Sequence, residues 1–471
     1  MRRLLCVAPA LLLLAGCDLA PSYHRPGLPA PTSLPSGGTY PGAAAAATQA
    51  PDIAWQDFFV DPALRQVIAT GLANNRDLRV ALANVEQARA LYRVQRADLL
   101  PTISANGSVT YSRASSAQTF PGADRRTDTY SVNAGLSAFE IDLFGRVRNL
   151  TRAALEQYLS TEEGARATRI SLIAEIASAY LTMAADQDQL RISRDTLESF
   201  RQTLELTQAQ FRIGVASELD VRQAQTSYEQ ARYDIAALQT QIARDQNALN
   251  LLVGTTVSAD QLPNSLDQRA FTLAELPAGI SSEVLLQRPD VLQAEHQLKA
   301  QYANIGAARA AFFPQISLTA LAGTISPSLS GLFDRGNGNW TVAPSATLPI
   351  FDFGRNAANL RYAKASRDAA LASYEKAIQT AFREVADALA ERGTIGEQIA
   401  ARGNRVTAAS TAYRLSDARY RAGVDPFLTT LDAQRTLYGA QQNLIQTRLD
   451  AASNLVELYR ALGGGLRSSG Q

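Results

Sequence analysis

The sequence has little of what enzyme chemistry usually rests on: it contains 2 cysteines and 2 histidines in 471 residues. His24 falls in a leader-like stretch, and His296 stands alone on a helical stretch where a solvated or interfacial place is expected. With no acidic or thiol cluster beside either, no metal site is expected. No Gly-rich phosphate loop follows a strand, and no catalytic constellation is recognisable, so no cofactor is expected. Neither sign of charge prevails, with 45 Lys and Arg against 44 Asp and Glu and a net charge of +1. Without a basic block, nucleic acid is excluded as a partner. Long apolar runs are missing as well, and mean hydropathy is -0.11. After residue 17 no run approaches the roughly 18 residues of a transmembrane helix. That absence leaves a β-barrel open, because a barrel carries its membrane signal in short alternating strands.

The one early apolar run lies at the start. Arg2 and Arg3 precede an apolar stretch through Leu14, followed by Ala15, Gly16 and Cys17. Residues 1–16 read as a signal peptide. Leu14-Ala15-Gly16-Cys17 resembles the bacterial lipobox, which implies an acylated Cys17 as the first mature residue. Ordinary signal cleavage near Gly16 is the alternative. Cys6 is removed in either case, so the mature chain keeps one thiol and cannot form an internal disulfide. Asp18 follows, and in enterobacteria an Asp there tends to hold a lipoprotein in the inner membrane; a barrel would impose its own destination. Residues 17–52 read as an extended leader, since the Pro/Gly/Ala-rich run from Pro21 to Pro51 is not expected to pack a core.

Beyond the leader the chain repeats itself. Asp77 and Pro101 recur 213 residues later as Asp290 and Pro314. Phe144-Gly145-Arg146 recurs as Phe353-Gly354-Arg355 at an offset of 209. Phe211-Arg212-Ile213-Gly214-Val215 recurs as Tyr420-Arg421-Ala422-Gly423-Val424 at the same offset. Two internal repeats follow, residues 53–260 and 281–471, joined by a linker over 261–280.

Each repeat reads as helix, two strands, very long helix, turn and helix. Strands are expected over 102–112, 129–139, 315–325 and 339–349. Ile103, Ala105, Val109 and Tyr111 alternate with Thr102, Ser104, Asn106, Ser108 and Thr110. Tyr130, Val132, Ala134, Leu136 and Ala138 do the same against Thr129, Ser131, Asn133, Gly135 and Ser137. Ile316, Leu318, Ala320 and Ala322 follow suit, as do Trp340, Val342, Ala346 and Leu348. Such alternation gives one apolar and one polar face, and about 10 residues suffice to cross a bilayer as a tilted strand. A half-buried hairpin in a soluble sandwich would alternate likewise. The polar faces are almost wholly Ser, Thr, Asn and Gln, as a wet lumen would have, and Tyr111, Tyr130 and Trp340 sit where an interfacial girdle would place them.

Helices are expected over 146–212, 217–252, 355–421 and 426–462, and they are built in heptads. Leu190, Leu197, Leu204 and Phe211 fall every seventh residue, answered by Ile399, Val406, Tyr413 and Tyr420. Val221, Tyr228, Ile235, Ile242 and Leu249 continue the pattern, as do Leu437, Leu444 and Leu458. That spacing imposes side-by-side supercoiled packing. Small residues at Ala224, Ala231, Ala433 and Ala440 allow close approach. A 67-residue helix spans on the order of 100 Å. A filamentous coiled coil would explain the heptads but has no use for four amphipathic strands.

In lipid every backbone group must be paired, so strands cross only as closed barrels. Four are too few, since known barrels begin at about eight. Two or three chains must therefore share one barrel, and helices too long for the membrane must continue the tube into the periplasm.

Five stretches carry a specific resemblance. They are Cys17-Asp18-Leu19-Ala20-Pro21-Ser22-Tyr23-His24-Arg25-Pro26, the Trp55 to Asn75 region running into Arg76-Asp77-Leu78, and Gln287-Arg288-Pro289-Asp290-Val291. Ile305-Gly306-Ala307-Ala308-Arg309-Ala310-Ala311-Phe312-Phe313-Pro314 and Tyr420-Arg421-Ala422-Gly423-Val424 through Leu431-Asp432-Ala433-Gln434-Arg435 complete them. In this order they are similar to the outer membrane factor (TolC-like) family of tripartite exporters, most of all its NodT-type lipoprotein branch. The resemblance implies an α+β membrane protein, a homotrimer with a 12-stranded barrel continued by a long periplasmic coiled-coil barrel. It also implies docking on a periplasmic adaptor and an inner-membrane resistance-nodulation-division transporter. The function it implies is efflux of drugs or other small toxic solutes through the outer membrane. A type I secretion conduit, a metal-ion exporter and a non-conducting periplasmic coiled-coil lipoprotein remain as alternatives.

The two turns, Gly214-Val215-Ala216-Ser217 and Gly423-Val424-Asp425, supply the freedom a helix end needs, and Pro426 suits the first turn of a new helix. By the resemblance they are the tips that meet the adaptor. Leu428 and Asp432 share a helix face as i and i+4; matching positions in the lipoprotein branch line the narrow periplasmic end, so the pair is the expected gate. Asp220, Tyr420, Arg421 and Arg435 are the expected latch between adjacent hairpins.

Overall fold

A computed structural model describes residues 18–42, 54–115, 117, 124–266, 271 and 281–464. The expected signal segment and Cys17 lie outside the described residues, as does part of the expected linker. In chain order the main elements are α1 (Pro62–Asn74), α2 (Arg76–Ala97), β1 (Ile103–Arg113), β2 (Arg126–Glu140), α3 (Arg146–Arg212) and α4 (Glu218–Val253). Then come α5 (Pro289–Ala310), β3 (Gln315–Ser326), β4 (Gly338–Thr347), α6 (Arg355–Arg421) and α7 (Phe427–Ala461). They form two compact units, and neither unit is one sequence repeat. The first takes residues up to Pro26, Asn84–Glu162 and Gln293–Tyr374; the second takes Gly27–Ala83, Glu163–Leu292 and the chain from Glu375. The physical reason is that one repeat supplies two strands, and a two-stranded ribbon is marginal by itself.

In the first unit the strands form one antiparallel sheet in the order β1-β2-β3-β4. Register aligns the apolar positions across all four strands: Ile103, Leu136, Ala320 and Val342 form one row, and Ala105, Ala134, Ala322 and Trp340 the next. On the other face Asn106, Asn133, Gly323 and Asn339 line up. Ser108 and Ser131 bond there at 2.8 Å, and Ser317 and Ser345 at 2.7 Å. Every residue of β4 is exposed, as is all of β1 but one. Trp340 and Ile103 are both 77% exposed. Among the described residues no second layer covers these strands, which argues against the sandwich alternative.

The alternation in β2 runs only as far as Leu136. A bulge between Leu136 and Phe139 sets Phe139, not Ala138, opposite Leu318 on the apolar face. Ala138 takes the left-handed conformation, φ 53°, and its N–H donates to Thr319 Oγ1 at 3.1 Å. The extra residue turns Glu140 toward Arg146, which bonds it through Nε at 2.8 Å at the start of α3.

The leader departs from the sequence expectation: residues 18–42 are docked. In the first unit Asp18 accepts from Asn149 at 3.0 Å, Arg152 at 2.9 Å and the Ala20 N–H at 3.0 Å. Tyr23 donates to Glu295 at 3.0 Å, and Arg25 grips the same carboxylate at 3.2 and 2.7 Å. Glu295 is 2% exposed, so this strap shields an otherwise buried charge, with Lys299 at 3.2 Å assisting. A Cβ on Gly306 would sit 2.8 Å from that of Ala20, so glycine there makes room for the strap. In the second unit Leu34 is buried and the Thr32 carbonyl accepts from the Ser282 N–H at 3.1 Å. His296 takes the interfacial of the two expected places: it is half-buried, with Nδ1 2.6 Å from Glu156 of α3.

The second unit holds the main core, in which Phe58, Phe59, Leu64, Ile176, Leu181 and Leu249 are fully buried. Asp61 caps α1 by accepting from the Ala63 N–H at 2.8 Å, with Pro62 opening the helix. Two equivalent residues of the repeats do equivalent work here. Asn75 donates to the Leu252 carbonyl at the end of α4 at 2.8 Å. Arg288 donates to the Ala461 carbonyl at the end of α7 at 2.6 Å, and its buried guanidinium is neutralised by Asp290 at 2.7 Å and Glu384 at 2.8 Å. Each satisfies a helix-terminal carbonyl that no backbone donor reaches among the described residues. Heptad positions Leu190, Leu249 and Leu458 are buried, as are Ala224, Ala231 and Ala440. Phe211 at the end of its series is 45% exposed.

Two predictions follow from this packing. A Cβ on Gly323 would lie 2.1 Å from the Val132 carbonyl oxygen, whereas one on Gly107 meets nothing closer than 4.0 Å. Gly323→Val is expected to cost at least about 1–3 kcal/mol by overpacking and to cut the yield of folded, membrane-inserted protein; Gly107→Ala is expected to leave it unchanged. Burial and the neighbouring Asp245 carboxyl push the Asp186 carboxyl up to about 7. A raised folded pKa means the stability it contributes is complete below the ordinary carboxylate value and is lost as pH rises through about 7. Thermal melts followed by circular dichroism should therefore show a lower Tm at pH 8 than at pH 5, and Asp186→Asn should flatten that difference.

Candidate functional site at the helical tips

The tips lie in the second unit, where α3 turns into α4 and α6 into α7. Both turns are built alike. Gly214 and Gly423 have φ of 77° and 72°, a left-handed conformation that ends a helix at little cost only in glycine. Behind them the Val215 N–H reaches the Gln210 carbonyl and the Val424 N–H the Arg419 carbonyl, each at 2.9 Å. This six-residue closure satisfies the last carbonyls of the long helices.

The following helices start differently. Ser217 caps α4: the Asp220 N–H donates to Ser217 Oγ at 3.2 Å, and Asp220 Oδ2 accepts from the Ser217 N–H at 2.9 Å. At the other tip Pro426 occupies the cap position itself rather than the first helical turn, and it offers no side-chain bond. Arg419 compensates by gripping Asp425 at 2.6 and 2.7 Å, which holds that carboxyl below its ordinary value.

Close behind the tips a small core of Phe200, Ala224, Ala231, Phe427 and Leu431 joins α3, α4 and α7, and the partly buried Tyr420 of α6 packs against it. Polar straps flank it. Gln434 donates to Ser199 at 2.7 Å and accepts from Thr203 at 3.4 Å. Tyr438 bridges Ser193 at 2.8 Å and Asp234 at 2.9 Å, and burial pushes its phenol up to about 12. The Thr430 hydroxyl donates to the Ser416 carbonyl at 3.0 Å. Sequence reasoning passed over Gln434 and Tyr438, because a polar residue on a helix face does not announce its partner on another.

The buried side of α7 is thus Phe427, Thr430, Leu431 and Gln434, all under 6% exposed. Leu428 and Asp432 fall on its other side; Leu428 is 48% exposed and Asp432 is exposed too. Chain geometry presents both outward, one turn apart. Val215 at 72% and Val424 at 62% stand out at the tips, beside Ile213 and Leu219.

The four expected latch residues do not bond one another within the chain. Asp220 serves the cap just described. Tyr420 is half-buried, edges against Phe427 with ring centroids 5.6 Å apart, and donates to Gln210. Arg421 pairs along its own helix with Asp417 at 2.8 Å. Arg435 crosses from α7 to Ser227 of α4 at 2.9 Å. Among the described residues no group of three or more His, Cys, Asp or Glu could hold a metal ion.

Removing a capping side chain costs about 1 kcal/mol. Asp220→Ala should therefore accelerate amide exchange over the first turn of α4 about fivefold, while Arg435→Ala leaves that turn unchanged. Equal protection in Asp220→Ala and the parent protein would show that the cap carries no weight.

Comparison with known proteins gives the same picture over nearly the whole chain. The family model for outer membrane efflux proteins matches twice, at residues 67–255 and 280–464. The toluene efflux pump outer membrane protein TtgC and the antibiotic efflux pump outer membrane protein ArpC, both of Pseudomonas putida, are each 48% identical over 464 residues, 98% of this chain and 96% of theirs. The crystal structure of the open state of the Neisseria gonorrhoeae MtrE outer membrane channel superimposes with a TM-score of 0.85 at 38% identity, covering 96% of this chain and 99% of that one.

Proposed function

The chain belongs to the outer membrane efflux protein family, and from that premise we infer that it is the outer-membrane channel of a tripartite efflux pump. The observation that carries this reading is the bare sheet. Among the described residues β1 and β4 each have a strand partner on one side only, and their two faces are exposed. In lipid those edges must be paired, so the sheet closes with copies of itself. Three copies give twelve strands, with the apolar rows toward lipid and the Ser, Thr and Asn rows toward a wet lumen. A spacer lipoprotein that conducts nothing leaves such a sheet without a role.

The homotrimer joins a periplasmic adaptor and an inner-membrane resistance-nodulation-division transporter, which selects the cargo. A lumen lined by hydroxyls and amides offers little chemical discrimination. The names of the two Pseudomonas relatives speak of toluene and antibiotics, and small toxic solutes of that kind are the cargo expected here. The tip residues Gly214, Val215, Ala216, Ser217, Gly423, Val424 and Asp425 are the adaptor contact, where exposed valines meet a hydrophobic partner. An acyl group on Cys17 anchors the strap that begins at Asp18.

Leu428 and Asp432 form the gate. Threefold symmetry would bring three copies of each together near the axis, and a ring of carboxylates favours cations. The residues proposed above as a latch then divide their duties. Tyr420 and Arg435 tie the tips internally, while Arg421, 60% exposed beside its partner Asp417, can exchange that pair for a neighbour. Exposed pairs of that kind contribute roughly 0 to 1 kcal/mol, which suits a closure that must release.

Single-channel recording in planar bilayers tests the gate. Asp432→Asn should lower cation preference, and Leu428→Ala should raise closed-state conductance. If both variants conduct and select as the parent does, the gate lies elsewhere.

A further inference from the structure

The outer end of the β1–β2 hairpin carries charge that the channel role does not use. Helices adjoin the other end of these strands, so residues 113 and 126 lie at the end farthest along the sheet from α2 and α3. Strand alternation puts Val109, Tyr111 and Arg113 on the apolar face of β1, and register sets them opposite Tyr130, Asp128 and Arg126. Two guanidiniums therefore face each other across one pair of strands, an arrangement that is destabilising unless an anion intervenes. The one carboxylate beside them serves Arg126: Asp128 accepts from Arg126 Nε at 3.0 Å and Nη2 at 3.2 Å. Arg113 has no side-chain hydrogen bond or ion pair among the described residues.

Immediately below, Tyr111 and Tyr130 meet edge-on with centroids 6.3 Å apart and hydroxyls at 3.3 Å. The Arg126 guanidinium lies 5.8 Å from the Tyr111 ring centroid. Tyr111 is 60% exposed and the Arg126 side chain 68%. Beneath the tyrosines the same face is Val109, Val132 and Ala105. From base to rim the face thus runs aliphatic, phenolic, cationic. A ligand that matches it in full must present hydrocarbon chains, an interfacial polar region and an anionic head in that order.

We propose that Arg113 and Arg126, above Tyr111 and Tyr130, form a head-group site for a phosphorylated lipid of the outer leaflet. Phosphate suits the pair because guanidinium groups hold its oxygens through charge-assisted bonds, and the tyrosines seat the region between head and chains. Asp128 orients Arg126 and limits the site to one anionic group. The proposal rests on the apolar face being the lipid face, as inferred above.

The test uses the purified full-length trimer in mixed micelles. Its probes are a diphosphorylated glycolipid, the same lipid after enzymatic dephosphorylation, and inorganic phosphate, with lipid retention read by native mass spectrometry. The parent protein is expected to retain the phosphorylated lipid at least about fivefold better than the dephosphorylated one. Arg113→Gln and Arg126→Gln should each reduce that preference about fivefold, with Arg113→Lys keeping part of it. Equal retention of the two lipids by the parent overturns the proposal without any variant, and so does inorganic phosphate binding as tightly as the lipid. Bilayer conductance of the same preparation keeps the two readings apart: a conducting trimer indifferent to phosphate loses only this site, whereas a preparation that neither conducts nor forms trimers loses the channel reading.

Discussion

A backbone amide in lipid has no water to bond, and β1 and β4 each leave a rank of such groups without a partner among the described residues. The cost of an unpaired group there is several kcal/mol, far more than any surface contact returns. That constraint makes one copy of this chain an incomplete object in a membrane. It also explains the repeat: duplication doubles the strands to four without closing them, and β2 pairs with β3 across the repeat boundary. Corresponding pieces of the two halves consequently share each compact unit.

The helical part answers a different requirement. It must be firm along its length and yielding at its end. Firmness comes from heptads with alanines buried between helices, and from buried straps such as Tyr438 between Ser193 and Asp234, where both partners lie within one chain. At the tips the balance changes. The ends of α3 and α6 are closed by glycine turns, capped locally, and fringed by exposed Val215, Val424 and Leu428. Behind the tips the contacts that hold one chain's hairpins are at least half-buried, such as Tyr438 on Ser193 and Asp234; at the tips they are solvated. The gate proposed above, which must open on engagement, needs that division.

Paired duties recur elsewhere with different chemistry. Asn75 and Arg288 sit at equivalent places in the repeats and cap the ends of α4 and α7, one as a neutral amide, the other as a guanidinium with two carboxylates. The second repeat therefore carries a charge network where the first makes do with two side-chain hydrogen bonds, Asn75 donating to the Leu252 carbonyl and accepting from the Leu78 N–H. The leader is likewise part of the structure: Glu295, almost fully buried, owes its neutralisation partly to Arg25, so the residues after the expected anchor help hold the first unit together.

What the sequence determined by itself is whatever repeats at short range. Alternation at Ile103, Ala105, Val109 and Tyr111 and heptads at Leu190, Leu197 and Leu204 follow from the periods of strand and helix, which no distant contact needs to supply. The glycine turns and the doubled pattern were legible for the same reason. Partnerships over long separations were not. Arg435 looked like a charge awaiting a neighbour, yet it bonds Ser227, 208 positions earlier in its own chain; the bulge that brings Phe139 to the apolar face depends on the registration of β2 against β3. The docking of Asp18 on Asn149 and Arg152 joins residues more than 130 positions apart, and composition saw there only a pliant leader. Tertiary structure decided these because a polar side chain is compatible with many partners, and only the folded chain brings one of them within bonding distance.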